Sequence, residues 1–398
     1  MSDTDRPSLI RRTPWPESAS RPVGTPLQPS VVYASRNPDA LDAQYEGRTE
    51  GFAYSREGHP NAQILATKID GMEGAVGGIV TSSGMAAVTA AVLGLLNAGD
   101  HIIAGDQLYG RSLRLMQEDL PRLGIGATLA DPTDIEAFRK ALHPETRAIL
   151  VEVVSNPTLR VADMEGLAQL AREYDLLLMV DNTFTTPRAY RPFDHGADVV
   201  IHSVTKLLAG HSDAMLGYVV AKNPALQEQI TTTVITWGMV GSPFDCWLAE
   251  RGLYSFDLRF DRASQNAAEL ADHLGGLPGV RRVLYPLRAD HPDHNRAAHL
   301  LGGQGGNMVS FEVEGGRAAA NALTEAAANI AFAPTLGDIG TTLSHAASSS
   351  HRGLDAAARE AIGISEGFFR VSVGVEDIAL LKREFAEAVA AAVKPRGV

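Results

Sequence analysis

Six short apolar runs, separated by helical stretches, constrain the fold of this chain more than any other feature. The runs are HIIAG, GATLA, AILVEVV, LLLMVD, DVVIHS and MLGYVVA. Each run is continuously apolar, which is typical of strands buried on both faces, as in a parallel sheet. Because these strands alternate with helices, the sequence predicts an α/β unit with helices on both faces of a mostly parallel sheet.

The chain divides into three predicted parts. Residues 1–59 are rich in Pro, Ser and Arg and have little periodicity, which indicates an extended arm that must pack on something else. Residues 60–254 form the sheet unit, and residues 255–398 form a smaller C-terminal α+β domain. At 398 residues the chain is long enough for these units.

Periodicity supports the C-terminal unit. The runs NMVSFEV and GFFRVSV alternate apolar with polar residues, which predicts half-buried strands. Arg317 to Ile330 and Ile378 to Val393 have helical patterns. One long amphipathic helix is predicted within FDCWLAERGLYSFDLRFDRASQNAAELADHLGG, as a connector between the two units.

Composition argues against several classes of protein. With 35 basic and 47 acidic residues the net charge is −12, which disfavours nucleic acid as a partner. A single cysteine, Cys246, cannot form an internal disulfide, and no Cys/His spacing indicates a metal site. The N-terminus has no apolar run typical of a signal peptide or membrane helix. We therefore expect a cytoplasmic protein that binds neither nucleic acid nor membranes.

Polar residues follow three of the predicted strands, where ligands bind in open parallel sheets. They are Ser155-Asn156-Pro157, Asp181-Asn182-Thr183 and the segment from His202 to Lys206. Lys206, flanked by two hydroxyls and an apolar Leu-Leu pair, is a candidate nucleophilic amine suited to a Schiff base. The alternative is a solvated loop lysine.

Two further features point to a cofactor with a ring nitrogen and a phosphate. A buried Asp181 could keep a pyridinium nitrogen protonated, although an Asp-Asn pair also forms turns. Ser83-Gly84-Met85 precedes an Ala-rich helix, whose amino-terminal amides could bind a phosphate. An ordinary serine N-cap is the alternative interpretation there.

Seven motifs together resemble the pyridoxal-phosphate (PLP) enzymes of Cys/Met metabolism, from about Thr25 to Val389. In chain order these motifs are Tyr54-Ser55-Arg56, Ser83-Gly84-Met85, Leu108-Tyr109-Gly110, Ser155-Asn156-Pro157, Asp181-Asn182-Thr183-Phe184, HSVTKLLAGHSDAMLG and RVSVGVED. The resemblance implies the fold of type I, aspartate-aminotransferase-like PLP enzymes. It also implies a homo-oligomer, usually a tetramer, with active sites shared between subunits and the N-terminal arm packed on a neighbouring subunit.

The resemblance assigns roles to individual residues. Lys206 would form the aldimine and move protons, and Tyr109 would stack on the cofactor ring and serve as an acid. Asp181 would pair with the ring nitrogen. The other implied contacts are Asn156 near the phenolic oxygen; Gly84, Met85, Ser203 and Thr205 on the phosphate; Tyr54 and Arg56 from a neighbouring subunit; and Arg370 and Arg114 on the substrate.

The resemblance also implies the type of reaction. We expect γ-elimination on a γ-substituted L-amino acid, through an external aldimine and a vinylglycine intermediate. The substrate would be cystathionine, methionine or an O-substituted homoserine such as canavanine. The alternative is γ-replacement, as in cystathionine γ-synthase or a homoserine-ester sulfhydrylase.

Glu57 departs from the family, whose ester-using members often have a neutral or basic residue after the Tyr-Ser-Arg motif. We hypothesise that Glu57 faces the distal end of the substrate and favours a neutral or cationic leaving group. The alternative is an ion pair with Arg111 or another arginine at the entrance rim.

Two other classes of enzyme fit the sequence less well. A nicotinamide dehydrogenase would need Gly-x-Gly-x-x-Gly after a strand, and this pattern is absent. A metal hydrolase would need a metal-binding motif, which the pairs His291/His294 and His345/His351 do not form.

Overall fold

The computed structural model describes residues 16–353 and 355–393, which contain two β-sheets. The larger sheet has seven strands: β1 (Ile79–Thr81), β2 (His101–Gly105), β3 (Gly126–Ala130), β4 (Thr146–Glu152), β5 (Leu177–Asp181), β6 (Val199–His202) and β7 (Gly217–Ala221). Their spatial order is β1-β7-β6-β5-β4-β2-β3, and β7 alone runs antiparallel to its neighbours. The mostly parallel sheet predicted from the sequence is confirmed.

Helices cover both faces of this sheet. The helices in this part of the chain are α1 (Pro38–Tyr45), which has no buried residue, α2 (Pro60–Glu73), α3 (Gly84–Leu95), α4 (Gly110–Arg114), α5 (Leu120–Arg122), α6 (Ile135–Lys140), α7 (Met164–Glu173), α8 (Thr186–Ala189), α9 (Pro224–Thr236) and α10 (Pro243–Leu253). A π-helical segment, Leu115–Asp119, joins α4 to α5, and Pro192–His195 is a 3₁₀ turn.

Strand β4 shows why the apolar runs are continuous. Ile149 and Val151 pack into the core on one face of the sheet, while Ala148 and Leu150 pack into the core on the other. Since successive side chains of a strand point to opposite faces, a sheet covered on both faces needs apolar residues at every position.

The smaller sheet has five strands in the order β10-β11-β12-β9-β8. The strands are β8 (Val280–Leu284), β9 (Met308–Val313), β10 (Ala331–Phe332), β11 (Thr342–His345) and β12 (Phe368–Ser372). Its helices are α11 (Phe256–Gly275), α12 (His294–Leu300), α13 (Gly316–Ala326), α14 (Ala356–Ala361) and α15 (Ile378–Val393), and Ala346–Ser348 is a 3₁₀ turn. The predicted last helix has the observed bounds of α15, whereas α13 ends before the predicted Ile330.

Strands β9 and β12 correct one prediction, because both are buried along their whole length rather than on one face. Two of their polar side chains contact the segment that follows β4. The Ser310 hydroxyl donates a hydrogen bond to the Pro157 carbonyl at 2.7 Å, and the Arg370 Nη1 donates to the Asn156 Oδ1 at 2.7 Å. The alternation of apolar and polar residues therefore separates side chains that pack in the core from side chains that make buried hydrogen bonds.

The long amphipathic helix predicted within the connecting segment is α11, and the shorter α10 precedes it as a separate helix. The carbonyl of Gly252 accepts a hydrogen bond from the Arg259 guanidinium at 2.9 Å, so a side chain takes up a group that would otherwise bond along the helix. A Cβ at Gly252 would lie 2.2 Å from the Ala209 carbonyl oxygen. Only glycine permits this approach of the two segments.

The predicted arm is described from residue 16, and its residues 1–15 lie outside the described part of the chain, as do residues 394–398 of the predicted C-terminal unit. The arm contains α1 and first packs on its own chain. The Thr25 hydroxyl donates to Glu250 at 2.7 Å, and the Trp247 indole donates to the Thr25 carbonyl at 2.8 Å. None of the helices described here is long and apolar enough to cross a membrane.

Candidate active site

The carboxyl ends of β4, β5 and β6 lie side by side at one edge of the large sheet. Glu152, which ends β4, is directly opposite Asp181, which ends β5. Asp181 is also opposite Ile201 of β6, and the chain continues from β6 to Lys206. The topology thus places two carboxyl groups and an amine at the edge where the sequence predicted a site.

The start of α3 offers an anion-binding cradle. The Ser83 hydroxyl caps the helix by accepting the Ala86 amide at 3.1 Å, while the first two helical amides, of Gly84 and Met85, have no acceptor within the helix. A Cβ at Gly84 would lie 2.6 Å from the Ser203 Cβ, so glycine brings the Ser203 hydroxyl against these amides. Free amides, a hydroxyl and the helix dipole together favour a phosphate.

Thr205 fits the predicted phosphate contact less directly. Its hydroxyl accepts the Leu216 amide at 2.9 Å and donates to the Leu216 carbonyl at 3.1 Å. The hydroxyl would have to give up the carbonyl of Leu216 to donate to a phosphate. The contact from Thr205 therefore stays a prediction.

Lys206 is half-buried and is not the solvated loop lysine of the alternative interpretation. Burial lowers the pKa of its amine from the ordinary value, and the positive charge of Arg370 lowers it further. A desolvated amine with a lowered pKa is more often neutral and is therefore a better nucleophile.

The turn after Lys206 is held by Arg259, which sequence reasoning missed. The buried guanidinium donates to the carbonyls of Leu207 at 2.9 Å and Leu208 at 3.2 Å. Gly210 has φ +72°, and a Cβ there would lie 1.9 Å from the Arg259 Nη1. One charged residue in an amphipathic helix gives no sequence signal for this role.

The carboxylate of Asp181 has one oxygen available for a ligand. Its Oδ1 accepts the amide of Thr183 at 3.0 Å and the hydroxyl of the same residue at 2.5 Å, and Oδ2 makes no hydrogen bond within the described chain. Burial raises the pKa of Asp181, while the Thr183 hydrogen bonds and the nearby His202 ring act in the opposite direction. The His202 ring is itself hydrogen-bonded to the buried Glu73.

Arg370 on β12 is buried, yet its hydrogen-bond acceptors are neutral. Nη1 donates to the Asn156 side-chain oxygen at 2.7 Å and Nη2 to the Thr335 carbonyl at 2.9 Å, while Nε is buried without a hydrogen bond. Burial lowers the pKa of Arg370 to about 10, and Tyr109 and Glu152 oppose this effect. A guanidinium in this setting is suited to receive a carboxylate.

Tyr109 lies at the amino end of α4 and is 43% exposed. Its amide donates to Glu152 Oε1 at 2.7 Å, and Gly110 lies so close to the loop after β11 that a Cβ would be 2.7 Å from the Ser350 carbonyl oxygen. The backbone of Tyr109 is thus fixed between β4 and the smaller sheet. Its predicted stacking on a cofactor ring remains a prediction.

Glu152 is the second residue that sequence reasoning missed. It is the one charged residue within the apolar run AILVEVV, and this interruption at a strand end was an available signal. Burial and the neighbouring Asp181 raise the pKa of Glu152 well above its ordinary value.

Four predicted residues do not join this group within a single chain. Tyr54, Arg56 and Glu57 are exposed, and in the described chain no side-chain hydrogen bond or ion pair links them to the residues around Lys206. The Arg56 guanidinium lies over the Tyr54 ring at 5.1 Å. Arg114 is paired along its own helical segment with Glu118 at 3.4 Å.

The ion pair considered between Glu57 and Arg111 does not form within the described part of one chain. Both side chains are exposed, and no arginine of the described residues lies within ion-pair distance of the Glu57 carboxylate. Glu57 is thus free to meet a substrate or another subunit.

The site residues fit PLP, which has a phosphate, a ring nitrogen and an aldehyde. The amides of Gly84 and Met85 with the Ser203 hydroxyl suit the phosphate, Oδ2 of Asp181 suits a protonated ring nitrogen, and the Lys206 amine suits the aldehyde.

Known proteins are similar to this chain in sequence and in fold. The sequence model of the Cys/Met metabolism PLP-dependent enzyme family matches residues 8–390. Cystathionine beta-lyase MetC of Bacillus subtilis (strain 168) is 39% identical over 338 residues, which are 85% of this chain and 86% of that protein. Cystathionine gamma-lyase of the same strain is 36% identical over 343 residues, which are 86% of this chain and 90% of that protein.

A crystal structure of cystathionine gamma synthase from Xanthomonas oryzae pv. oryzae, in complex with aminoacrylate and cysteine, superimposes with a TM-score of 0.89. It is 33% identical, and the match covers 94% of this chain and 95% of that chain. The predicted type I fold is confirmed, and the dehydrogenase interpretation is ruled out. The chain is a member of the Cys/Met metabolism family of enzymes, and its cofactor is pyridoxal 5'-phosphate.

Proposed function

We propose that this chain is a lyase that catalyses γ-elimination on a γ-substituted L-amino acid. The observation that carries the proposal is that a half-buried amine, Lys206, lies near a buried guanidinium, Arg370. In the described chain this guanidinium has no carboxylate partner. The amine suits the aldehyde of the cofactor, and the guanidinium suits the α-carboxylate of an amino acid.

The cofactor, when bound, withdraws electrons from the substrate carbons through its protonated ring nitrogen. Asp181 would keep that nitrogen protonated, and Asn156 would bind near the phenolic oxygen. Arg370 fixes the α-carboxylate and thereby the orientation of the α-carbon. The Lys206 Nζ accepts the α-proton and then moves protons at the β-carbon, which its lowered pKa favours. Tyr109 donates a proton to the leaving group.

The same proposal covers the assembly. Tyr54 and Arg56 are exposed and separate from Lys206 within one chain, so we propose that they complete the phosphate site of a neighbouring subunit. The active unit is then at least a dimer, and a tetramer is the expected assembly. The arm that leads to them, with its predicted contact on a partner, belongs to the same interface.

The preference for elimination over replacement rests on Glu57. An exposed carboxylate without an ion pair in the described chain would attract a cationic leaving group, tolerate a neutral one and repel a succinyl ester. The candidate substrates are cystathionine, methionine and canavanine. Replacement is the second candidate, because the structurally similar Xanthomonas oryzae enzyme is a cystathionine gamma synthase.

The experiment is a substrate panel with the purified, cofactor-loaded enzyme. Cystathionine, methionine, canavanine and O-acyl homoserines are each supplied with and without a thiol, and 2-oxobutyrate, pyruvate, ammonia and homoserine are measured. Formation of 2-oxobutyrate and ammonia without a thiol supports γ-elimination, whereas homoserine from canavanine would mean that water replaces the leaving group at the γ-carbon. Pyruvate as the main product would indicate β-elimination instead, and turnover only with a thiol would indicate replacement.

The variant Glu57→Gln tests the specificity part of the proposal. We expect it to lower the rate with canavanine relative to the rate with O-succinylhomoserine. Glu228→Gln, which changes another exposed glutamate on α9, is the matched control and should leave the substrate ranking unchanged. An unchanged ranking in Glu57→Gln would remove the role of Glu57.

A further inference from the structure

Two carboxyl groups end adjacent strands at the site, and their surroundings differ. Glu152 and Asp181 are opposite each other in the register of β4 and β5. Two negative charges on neighbouring strands repel each other strongly when they are shielded from water. One of the two carboxyl groups is therefore expected to hold a proton.

The hydrogen bonds indicate which carboxyl group is neutral. Asp181 accepts two hydrogen bonds from Thr183, and these stabilise its charged form. Glu152 accepts a single hydrogen bond at Oε1, and its Oε2 is buried without a partner in the described chain. An ionised Glu152 would therefore leave a charged oxygen buried and unsolvated, whereas a protonated one leaves a neutral hydroxyl there, which costs far less to bury.

The other charged groups near Glu152 do not reverse this order. The Arg370 guanidinium favours ionisation of Glu152, but burial and Asp181 act more strongly in the opposite direction, so the pKa of Glu152 is raised. The guanidinium donates its hydrogen bonds to Asn156 and Thr335, and not to this carboxyl group.

The hydrogen bond that Glu152 accepts fixes an active-site residue. Tyr109 precedes the first residue of α4, and no side chain of that helix caps it. The Oε1 of Glu152 accepts the Tyr109 amide at 2.7 Å, as the glutamate of a capping box does, but from a neighbouring strand. The position of the Tyr109 backbone, and with it the ring, depends on this contact.

We propose that Glu152 is a positioning residue that acts as a neutral carboxylic acid, with Oε1 holding the Tyr109 amide and the proton on Oε2. Its neutrality lets Asp181 keep the negative charge that the ring nitrogen of the cofactor requires. The inference rests on the proposed function for the role of Tyr109, but the protonation of Glu152 can be tested without turnover.

The experiment combines infrared spectroscopy with kinetics on the cofactor-loaded enzyme at neutral pH. The wild type should show the carbonyl band of a buried carboxylic acid, and Glu152→Gln should lack it. Asp293→Asn is the matched control, because Asp293 is also buried and also accepts a backbone amide, from Val161 at 3.0 Å, but is ion-paired with Arg160. This control should retain the band.

The kinetic result should separate shape from charge. Gln has the shape of a neutral Glu, so Glu152→Gln should keep kcat within about three-fold of the wild type. Glu152→Ala leaves the Tyr109 amide without its acceptor, so its kcat should fall by about ten-fold or more. A wild type without the acid band, or a Glu152→Gln variant as slow as Glu152→Ala, would overturn the proposal. If no variant turns over any substrate, the proposed function fails while the band still decides the state of Glu152.

Discussion

Arg160 and Arg370 each take part in a contact between the segment after β4 and the C-terminal part of the chain, and the two contacts differ in how the positive charge is balanced. Arg160 pairs with Asp293, with Nε–Oδ2 at 2.6 Å and Nη2–Oδ1 at 3.1 Å. Arg370 reaches Asn156 in the same segment but contacts neutral oxygens only. Since an unpaired buried charge is costly, the contrast indicates that a ligand supplies the missing negative charge at Arg370.

The largest effect on catalysis is expected at Lys206, which lies near Arg370, the arginine that has no carboxylate partner among the described residues. Lys206→Ala should lower kcat by about 10⁴-fold, the upper end of what a general acid–base group contributes. The folded protein should keep its melting temperature, because Lys206 makes no ion pair in the described chain. Steady-state kinetics with the best substrate of the panel provide the measurement, and Lys222→Ala, at an exposed lysine after β7, provides the control.

Arg370→Lys tests whether the unpaired guanidinium binds the substrate. Lysine keeps the charge but loses the planar fork, so kcat/KM should fall by about 100-fold, since each hydrogen bond to a charged group contributes about 1.5–3 kcal/mol. The loss should appear mainly in KM. A variant with wild-type KM and a much lower melting temperature would show that Arg370 is structural. The inference that a ligand supplies the negative charge at Arg370 would then be wrong.

Asp293→Asn is the corresponding test of the other contact, because it removes the carboxylate that pairs with Arg160. It should lower the free energy of unfolding by about 1–2 kcal/mol, less than for a fully buried pair because the Arg160 side chain is 30% exposed. Urea unfolding followed by circular dichroism measures this loss. Because the pair touches no substrate, kcat/KM should stay near that of the wild type, and a large change in KM would contradict the assignment.

The smallest effect is the pH dependence of the difference in unfolding free energy between the wild type and Asp293→Asn. Burial alone would raise the pKa of Asp293, but hydrogen bonds from Arg160 and the Val161 amide outweigh burial and hold the pKa below its ordinary value. The stability from the pair is therefore complete above the unfolded pKa of about 4 and is lost as the pH falls through the lower folded value. Unfolding curves of wild type and Asp293→Asn should converge below about pH 4. A constant difference down to strongly acidic pH would contradict this account.

The sequence predicted the large sheet well, for a physical reason. Continuous apolar runs such as β4 are needed only where both faces are covered, so the pattern specifies the architecture. Strand β1 has three residues, too few for a pattern, and was missed. The half-buried prediction for β12 failed because polar residues were taken to face water, whereas Arg370 faces the site.

The site was predicted in part. The strand ends that bear Asp181 and Lys206 meet as expected, because parallel strands bring their carboxyl ends to one edge. Arg259 could not be predicted, since its partners are backbone carbonyls of a turn 52 residues earlier, and backbone acceptors have no sequence signature. In the proposed assembly Tyr54 and Arg56 act in the site of a second subunit, and periodicity within one chain does not specify such a contact.

Chemical trapping of the cofactor would show whether the charged groups at the edge of the large sheet bind PLP and position it on Lys206. The cofactor-loaded enzyme is reduced with borohydride, digested and mapped by mass spectrometry. The account predicts the reduced cofactor on the peptide that contains Lys206, and no such adduct in Lys206→Ala. An adduct on another lysine, or none in an enzyme that absorbs visible light as a PLP protein does, would contradict it.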